Sequence, residues 1–247
     1  MTRRVILILG MHRSGTSVVA RAMQCLGAKI TNTMPATEEN VSGYFEDVNI
    51  AALNDHILRR AGSSWDRPME RDALAGLEFG RDQEQAAAYL LGQIGDAPVF
   101  SVKDPRMCRL LPFWRPVFEL MQVDVSVVHV LRHPMAVAQS LQKRGISIDR
   151  GLALWLEHVV RAREDVDPAW SHVTIKYEET IFAKLDWQLK ATADRFGLSL
   201  DRDELISFIH DHMKADLMHE RVFDDDQLPL VVRAVRQHVW LESVYGP

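Results

Sequence analysis

Cysteine is scarce in this chain of 247 residues, which carries only Cys25 and Cys108. Two cysteines cannot build a disulfide framework, and such low cysteine content fits a reducing compartment. Long apolar runs are also lacking. The run at residues 5–9 is too short for the core of a signal peptide, and no stretch reaches membrane-spanning length. We therefore expect a cytoplasmic protein without a membrane span.

The chain also has no excess of basic charge. Its 29 basic and 34 acidic side chains give a net charge of −5. This balance argues against a protein held on nucleic acid by bulk charge, so we expect no nucleic-acid partner, while a local basic site for a small anion stays open. With 47% hydrophobic and 26% charged residues, the composition is that of an ordinary globular protein. Disordered and collagen-like chains are thereby excluded.

Strand patterns alternate with helical patterns along most of the chain. Continuous apolar runs, typical of parallel strands buried on both faces, predict strands at 5–9, 99–102, 125–131 and 173–175. Amphipathic patterns predict helices at 18–26, 107–121, 134–145, 151–166 and 179–196. This alternation predicts an α/β fold, a three-layer parallel β-sheet flanked by helices.

Two regions fit that sheet less well, although we expect residues 1–247 to form a single domain. Residues 32–98 show helical patterns near 47–61 and 82–95, and we interpret them as a helical insertion, either a lid or an acceptor-binding segment, that lines the acceptor site. Residues 200–247 are predicted to be a C-terminal helical cap that the acidic run at 224–226 interrupts.

A glycine-bearing loop, GMHRSGTS at residues 10–17, lies between the first strand and the first helix. Its frame is that of a phosphate-binding loop, whose backbone N–H groups and helix N-terminus cradle phosphate oxygens. Thr16 stands where a nucleoside triphosphatase carries lysine, and Arg13 lies inside the loop. This departure disfavours metal-dependent triphosphate hydrolysis but keeps the anion cradle. A plain strand-to-helix turn without a ligand is the alternative.

A second motif follows the strand at 125–131, where Arg132 ends the strand and Ser140 lies about two turns into the next helix. Open α/β sheets bind ligands at the carboxyl ends of their strands. A guanidinium and a hydroxyl there would suit a second phosphate. Alternatively, Arg132 pairs with a carboxylate and Ser140 faces solvent or bonds to its own helix.

These two motifs resemble those of the sulfotransferases that use 3′-phosphoadenosine 5′-phosphosulfate (PAPS), in particular bacterial-type members. In that family the first loop holds the 5′-phosphosulfate, and an arginine followed eight residues later by a serine holds the 3′-phosphate. The stretch VTIKYEET at 173–180, with Tyr177, resembles the family's strand that ends in Y-E-D-L. The resemblance covers residues 5–197 in the family's order and implies a P-loop nucleotide-kinase-like sulfotransferase fold.

The resemblance also implies roles for individual residues. Arg13 would stabilise charge on the phosphosulfate, and the cofactor would be bound by His12, Arg13, Ser14, Gly15, Thr16, Ser17, Arg132, Ser140 and Tyr177. The product would be 3′-phosphoadenosine 5′-phosphate (PAP). No metal is expected, because a transferred sulfuryl group carries less charge than a phosphoryl group.

Family members take the acceptor's proton with histidine or glutamate. Glu46 is our first choice, with Glu39 second, and both lie beyond the first loop, with Tyr44 also placed on the acceptor side. Capping of the next helix by Glu46 or Asp47 is the alternative for this stretch.

The strand at 99–102 ends in Lys103, Asp104, Pro105 and Arg106. Lys103 would bind the nucleotide. We favour Asp104 and Arg106 as an ion pair that orients the acceptor over Asp104 as the base, because the neighbouring cations would keep that carboxylate ionised. An ordinary salt-bridged turn is the alternative.

The sequence thus predicts metal-independent transfer of a sulfuryl group from PAPS to a hydroxyl of a carbohydrate, lipid or small molecule. Two alternatives stay open: a P-loop kinase of nucleotides or small molecules, and a non-catalytic module that binds PAP or another anion. The oligomeric state is open too, with a homodimer as one alternative.

Overall fold

The fold is described from a computed structural model of the chain. It covers residues 2–31, 33–35, 43–178, 184–212 and 225–245.

Five parallel strands form one sheet in the order β2-β3-β1-β4-β5. The strands are β1 Arg4–Leu9, β2 Lys29–Ile30, β3 Val99–Lys103, β4 Asp124–Leu131 and β5 Ser171–Lys176. β1 lies at the centre, where Ile8 aligns with Lys103 of β3 and with Val128 of β4. Because all strands are parallel, their carboxyl ends meet at one edge of the sheet.

Helices connect and cover these strands. They are α1 Thr16–Ala22, α2 Val48–Arg60, α3 Gly80–Ile94, α4 Met107–Met121, α5 Pro134–Gln142, α6 Ile148–Glu164, α7 Leu185–Phe196, α8 Arg202–His212 and α9 Leu230–Tyr245. Short 3₁₀ helices span Met23–Leu26 and Asp225–Gln227. The predicted α/β fold class is confirmed. The helices lie within a few residues of their predicted bounds. For the helix expected at 179–196, residues 179–183 lie outside the described residues.

The central strand shows why the protein has three layers. Residues of a strand alternate between its faces. Val5, Leu7 and Leu9 enter a core on one face with residues of α2, α3 and α4. Ile6 and Ile8 enter a second core with α1 and α7. A strand buried on both faces gives the continuous apolar run seen in the sequence.

Strand β2 was missed by the sequence analysis. It consists of two residues, Lys29 and Ile30, at the edge of the described sheet, where it pairs with β3. So short a segment carries no periodic pattern, and its strand conformation depends on the neighbour with which it pairs.

The helices of the 32–98 region do not stand apart from the sheet. Ile57 and Leu58 of α2 and Leu90 of α3 are fully buried in the same core as Trp114 of α4. This packing fixes the loop before α2 relative to the ends of β1 and β3. In the described part of the chain, no helix is both long and apolar enough to cross a membrane.

Replacing a side chain of the central strand tests this packing. Leu7→Ala removes a fully buried side chain and should lower the free energy of unfolding by about 2–5 kcal/mol, through lost transfer energy and a cavity. Urea unfolding followed by circular dichroism measures the change. Leu120→Ala, at a position 54% exposed on α4, is the control and should change stability by less than about 0.5 kcal/mol. Equal effects of the two substitutions would contradict the central position of β1.

Candidate functional site

The loops that follow β1, β3, β4 and β5 meet at the carboxyl edge of the sheet, and each carries residues that the sequence singled out. Residues 10–17 follow β1, Asp104 and Arg106 follow β3, Arg132 follows β4, and Tyr177 follows β5. The segment with Glu46 and Asp47 leads into α2 and approaches the same edge. Candidate residues from most of the chain are therefore brought together; Glu39 lies outside the described residues.

The loop after β1 closes tightly at its two ends. The backbone N–H of Gly10 donates to the Sγ of Cys108 at 3.0 Å, and a Cβ at Gly10 would come within 2.8 Å of the Val130 carbonyl oxygen. Gly15 caps α1 with φ of 86°, a left-handed conformation that favours glycine. The ring of Tyr177 packs directly on Gly15, where any side chain would collide with it.

Cys108 is a site residue that the sequence analysis missed. It is fully buried on α4, and burial raises the pKa of its thiol to about 12. The group thus stays a neutral thiol and serves as a hydrogen-bond acceptor for the loop. A lone buried cysteine in a helix carries no sequence signal of this contact, because the contact spans 98 positions in the chain.

Arg13, Arg132 and Ser140 meet between the two predicted anion motifs. The Nε of Arg13 donates to Ser140 Oγ at 2.8 Å, and an Nη of Arg132 donates to the carbonyl oxygen of Arg13 at 2.8 Å. The Arg132 guanidinium lies 4.8 Å from the centre of the Tyr177 ring, within the range of a cation–π contact. The loop after β1 and the motif after β4 therefore form one continuous site.

The geometry of this motif bears on the alternatives for Arg132 and Ser140. Ser140 bonds to Arg13 rather than only to its own helix. Arg132 Nε lies 3.9 Å from a carboxylate oxygen of Glu178, close enough for an ion pair but beyond hydrogen-bond distance, while Glu178 accepts the backbone N–H of His133 at 2.9 Å. Arg132 Nε is buried and has no hydrogen-bond partner among the described residues. The guanidinium thus keeps a donor for a ligand.

Lys103 and Glu46 form a buried pair next to the same loop. Lys103 Nζ donates to Glu46 Oε1 at 2.5 Å, to the Tyr44 carbonyl oxygen at 2.8 Å and to Ser17 Oγ at 3.3 Å. Burial raises the pKa of Glu46 above its ordinary value, and the nearby Asp104 acts in the same direction, while Lys103 and Arg106 oppose the shift. A buried carboxyl with a raised pKa is therefore held close to the anion loop.

Asp47, not Glu46, caps the next helix. The Oδ1 of Asp47 accepts the N–H groups of Asn49 and Ile50 at the start of α2, and the Tyr89 hydroxyl donates to the same carboxylate. The two acidic residues that the sequence left as alternatives thus divide the roles: Asp47 fixes the helix, and Glu46 faces Lys103.

Asp104 and Arg106 form the expected ion pair. Arg106 Nη1 lies 2.8 Å from Asp104 Oδ2, and the other carboxylate oxygen of Asp104 accepts the Arg106 N–H. Arg106 Nε also pairs with Asp55 Oδ1 at 2.7 Å, a partner from α2 that the sequence analysis missed. Asp104 is fully buried with both oxygens engaged, so it orients Arg106.

His12 projects from the loop toward residues that the sequence analysis did not select. Its ring lies 5.2 Å from the centre of the Trp65 ring and 6.4 Å from that of His158. Burial lowers the pKa of His12 well below its usual range, and the charges of Arg106 and Lys103 add to the effect. The imidazole is therefore neutral at physiological pH.

No described His, Cys, Asp or Glu side chains form a group of three or more able to hold a metal ion.

Comparison with known proteins places this geometry in a fold. No known family profile and no curated protein sequence matches the chain. The sulfotransferase domain of the Synechococcus PCC 7002 olefin synthase matches over 97% of this chain and 95% of that domain, with a TM-score of 0.58 and 15% identity.

Two further solved structures match with TM-scores below 0.5. They are a sulfotransferase domain of the curacin biosynthetic pathway, with a TM-score of 0.46, 14% identity and coverage of 94% and 82%, and an unliganded sugar kinase from Janibacter sp. HTCC2649, with a TM-score of 0.42, 13% identity and coverage of 81% and 96%. The first match alone shows that the chain has the fold of a sulfotransferase domain.

Proposed function

We propose that the protein is a sulfotransferase that moves the sulfuryl group of PAPS to a hydroxyl of an acceptor and releases PAP, without a metal ion. The observation that carries the proposal is the meeting of Arg13, Arg132 and Ser140 above Gly15. Two arginines and a helix N-terminus at one edge suit a ligand with two separated anionic groups. The shared fold with a sulfotransferase domain supports the same assignment.

The cofactor would bind across both motifs. Backbone N–H groups and hydroxyls of Ser14, Gly15, Thr16 and Ser17 would hold the 5′-phosphosulfate, while Arg132 and Ser140 would hold the 3′-phosphate. Tyr177, packed on Gly15 and under the Arg132 guanidinium, would border the nucleotide. The hydrogen bond from Arg13 to Ser140 would open when the 3′-phosphate replaces Arg13 on the serine.

The reaction would proceed by in-line displacement at sulfur. The acceptor oxygen forms a bond to sulfur, the bond from sulfur to the bridging phosphate oxygen breaks, and that oxygen leaves on PAP with its electron pair. Arg13 and Lys103 would stabilise the charge that develops on the leaving group. Glu46 would accept the acceptor's proton, and Asp104 would keep Arg106 oriented toward the acceptor.

The acceptor would lie between the loop after β1 and the 32–98 region. Tyr44 and Arg106 would border this space, and Glu39, which lies outside the described residues, would be a further contact with the acceptor. Residues 200–247 would form a cap on a single sulfotransferase domain. A P-loop kinase is less suitable, because Thr16 occupies the position of the lysine that contacts the β- and γ-phosphates.

Nucleotide binding tests the two-anion site. PAP in the presence of a metal chelator should raise the melting temperature, with a stabilisation of about 2.7 kcal/mol at a hundred times the Kd. Arg132→Ala should remove most of this shift, because it removes the guanidinium that reaches the 3′-phosphate. Thermal denaturation followed by fluorescence gives the measurement.

The control for this substitution is Arg81→Ala, an exposed arginine on α3, which should leave the PAP shift unchanged. ATP lacks the 3′-phosphate and should give a smaller shift than PAP. Equal shifts with ATP and PAP, or turnover of ATP with Mg²⁺, would contradict the assignment and favour a kinase.

Substitution of Glu46 tests the chemistry separately from binding. Glu46→Gln should reduce kcat about 10²-fold or more, since a lost general base typically costs 10²–10⁴-fold, and should leave the PAP shift in place. The base acts in its deprotonated form, so wild-type activity should fall as pH falls through the pKa of Glu46, which burial raises above 4.5. Radiolabelled sulfate transfer from PAPS over a pH series measures both effects.

The loss of activity at low pH should disappear in Glu46→Gln. It should persist in Glu84→Gln, an exposed α3 glutamate that serves as the matched control. If activity still fell at low pH in Glu46→Gln, the proposed role of Glu46 would be contradicted and the proton transfer would belong to another group. Binding of PAP without sulfuryl transfer to any acceptor would favour the non-catalytic module instead.

A further inference from the structure

Residues 63–71 form a wall beside the anion loop. Trp65 of this wall is partly exposed, and its indole meets the imidazole of His12 edge-on, at 5.2 Å between ring centres and with an interplanar angle of 62°. His12 is the neighbour in sequence of Arg13. The indole therefore contacts a side chain of the loop that would hold the sulfuryl group.

This wall is held rigidly by three arginines from the helices behind it. Arg109 donates to the carbonyl oxygens of Ser64 and Arg67, and Arg150 donates to the carbonyl and carboxylate of Asp66. Arg161 donates to the carbonyl oxygens of Met69, Glu70 and Arg71. So many bonds to the backbone of one short segment fix the position of Trp65 before any ligand binds, which lowers the entropic cost of binding.

Next to the wall, two imidazoles have polar atoms without partners among the described residues. The buried Nε2 of His12, in the loop after β1, accepts and donates no hydrogen bond there, and the same holds for Nε2 of His158 on α6. His158 Nδ1 lies 2.7 Å from the Leu154 carbonyl oxygen and must donate its proton there, so its Nε2 is left as an acceptor. Burial lowers the pKa of both imidazoles, so both are neutral and suited to uncharged hydroxyl groups. Buried polar atoms of this kind call for a partner.

The charges around the wall point to an uncharged ligand. Arginines near the wall form ion pairs with carboxylates: Arg106 with Asp104 and Asp55, Arg109 with Glu157, and Arg150 with Asp66. An anionic acceptor would have to compete with these carboxylates. A long acyl chain or a steroid would need a wider apolar surface than this site offers, because its apolar surface is a single indole surrounded by polar groups.

We propose that Trp65 and His12 form the acceptor platform, and that it takes a neutral hydroxylated ring, a pyranoside. The apolar C–H face of the sugar packs on the indole, and a ring hydroxyl hydrogen-bonds to the imidazole. This places the His12 side chain on the acceptor rather than on the cofactor, although its backbone belongs to the loop. The proposal rests on the proposed sulfotransferase function for the reaction itself.

Sulfuryl transfer from PAPS to methyl gluco-, galacto- and mannopyranoside tests the ligand class, with p-nitrophenol and 1-octanol as non-sugar acceptors. At least one pyranoside should have a higher kcat/KM than both non-sugar acceptors. Trp65→Ala should raise the KM for that pyranoside about tenfold with little change in kcat, and Trp65→Phe should have a smaller effect. A preference for p-nitrophenol or octanol would overturn the proposal.

Control variants distinguish a loss of the acceptor platform from a general loss of structure. Trp187→Ala, a tryptophan 64% exposed on α7, should leave the KM unchanged. His12→Ala should raise the KM, and His12→Gln, which keeps hydrogen-bonding atoms, should restore part of it. The thermal shift with PAP should be unchanged in Trp65→Ala. A lost PAP shift with an unchanged acceptor KM would instead put the Trp65 side chain on the cofactor.

Saturation-transfer NMR with the methyl pyranosides, in the absence of PAPS, separates failure of the platform from failure of the proposed function. Signal in the wild type that disappears in Trp65→Ala supports the platform whether or not transfer occurs. Binding of PAP with no pyranoside signal and no pyranoside transfer would overturn the platform and leave the sulfotransferase proposal standing. A pyranoside signal without a PAP shift would overturn the proposed function alone.

Discussion

Arg132 donates a hydrogen bond across the sheet edge to the carbonyl oxygen of Arg13 and so ties the end of β4 to the loop after β1. The bond is possible because β1 and β4 are adjacent and parallel, so that their carboxyl ends lie side by side. Tyr177, from the end of β5, closes the group by packing on Gly15 and under the Arg132 guanidinium. The loop's shape therefore depends on contacts from two other strands.

Behind this anion site, buried charge is arranged in pairs. Lys103 is neutralised by Glu46, and Arg106 by Asp104 and Asp55. Removing one member of such a pair leaves an uncompensated buried charge, which is costly, so the side chains hold one another in place. The same arrangement keeps a carboxyl with a raised pKa near the loop. The order of these side chains and the raised pKa of Glu46 thus have one physical origin, the burial of paired charges.

The contrast between Glu46 and Asp47 shows how adjacent residues of like chemistry come to differ. Asp47 has the short side chain and extended backbone of a helix N-cap and bonds to two N–H groups of α2. Glu46, one position earlier, is longer and lies opposite Lys103. Chain position and side-chain length, relative to the start of the helix, direct Asp47 to the helix N-terminus and Glu46 to Lys103.

The sequence by itself determined the α/β fold, because the buried strands are continuous apolar runs and the anion loop has fixed glycine spacing. It also placed Arg132 at the end of a strand and Ser140, eight residues later, in the helix that follows. Only the tertiary structure brought in Trp65, Asp55 and Cys108, since their contacts join segments distant in the chain and leave no local pattern. Strand β2 was decided in the same way, by pairing with a neighbour rather than by its own two residues.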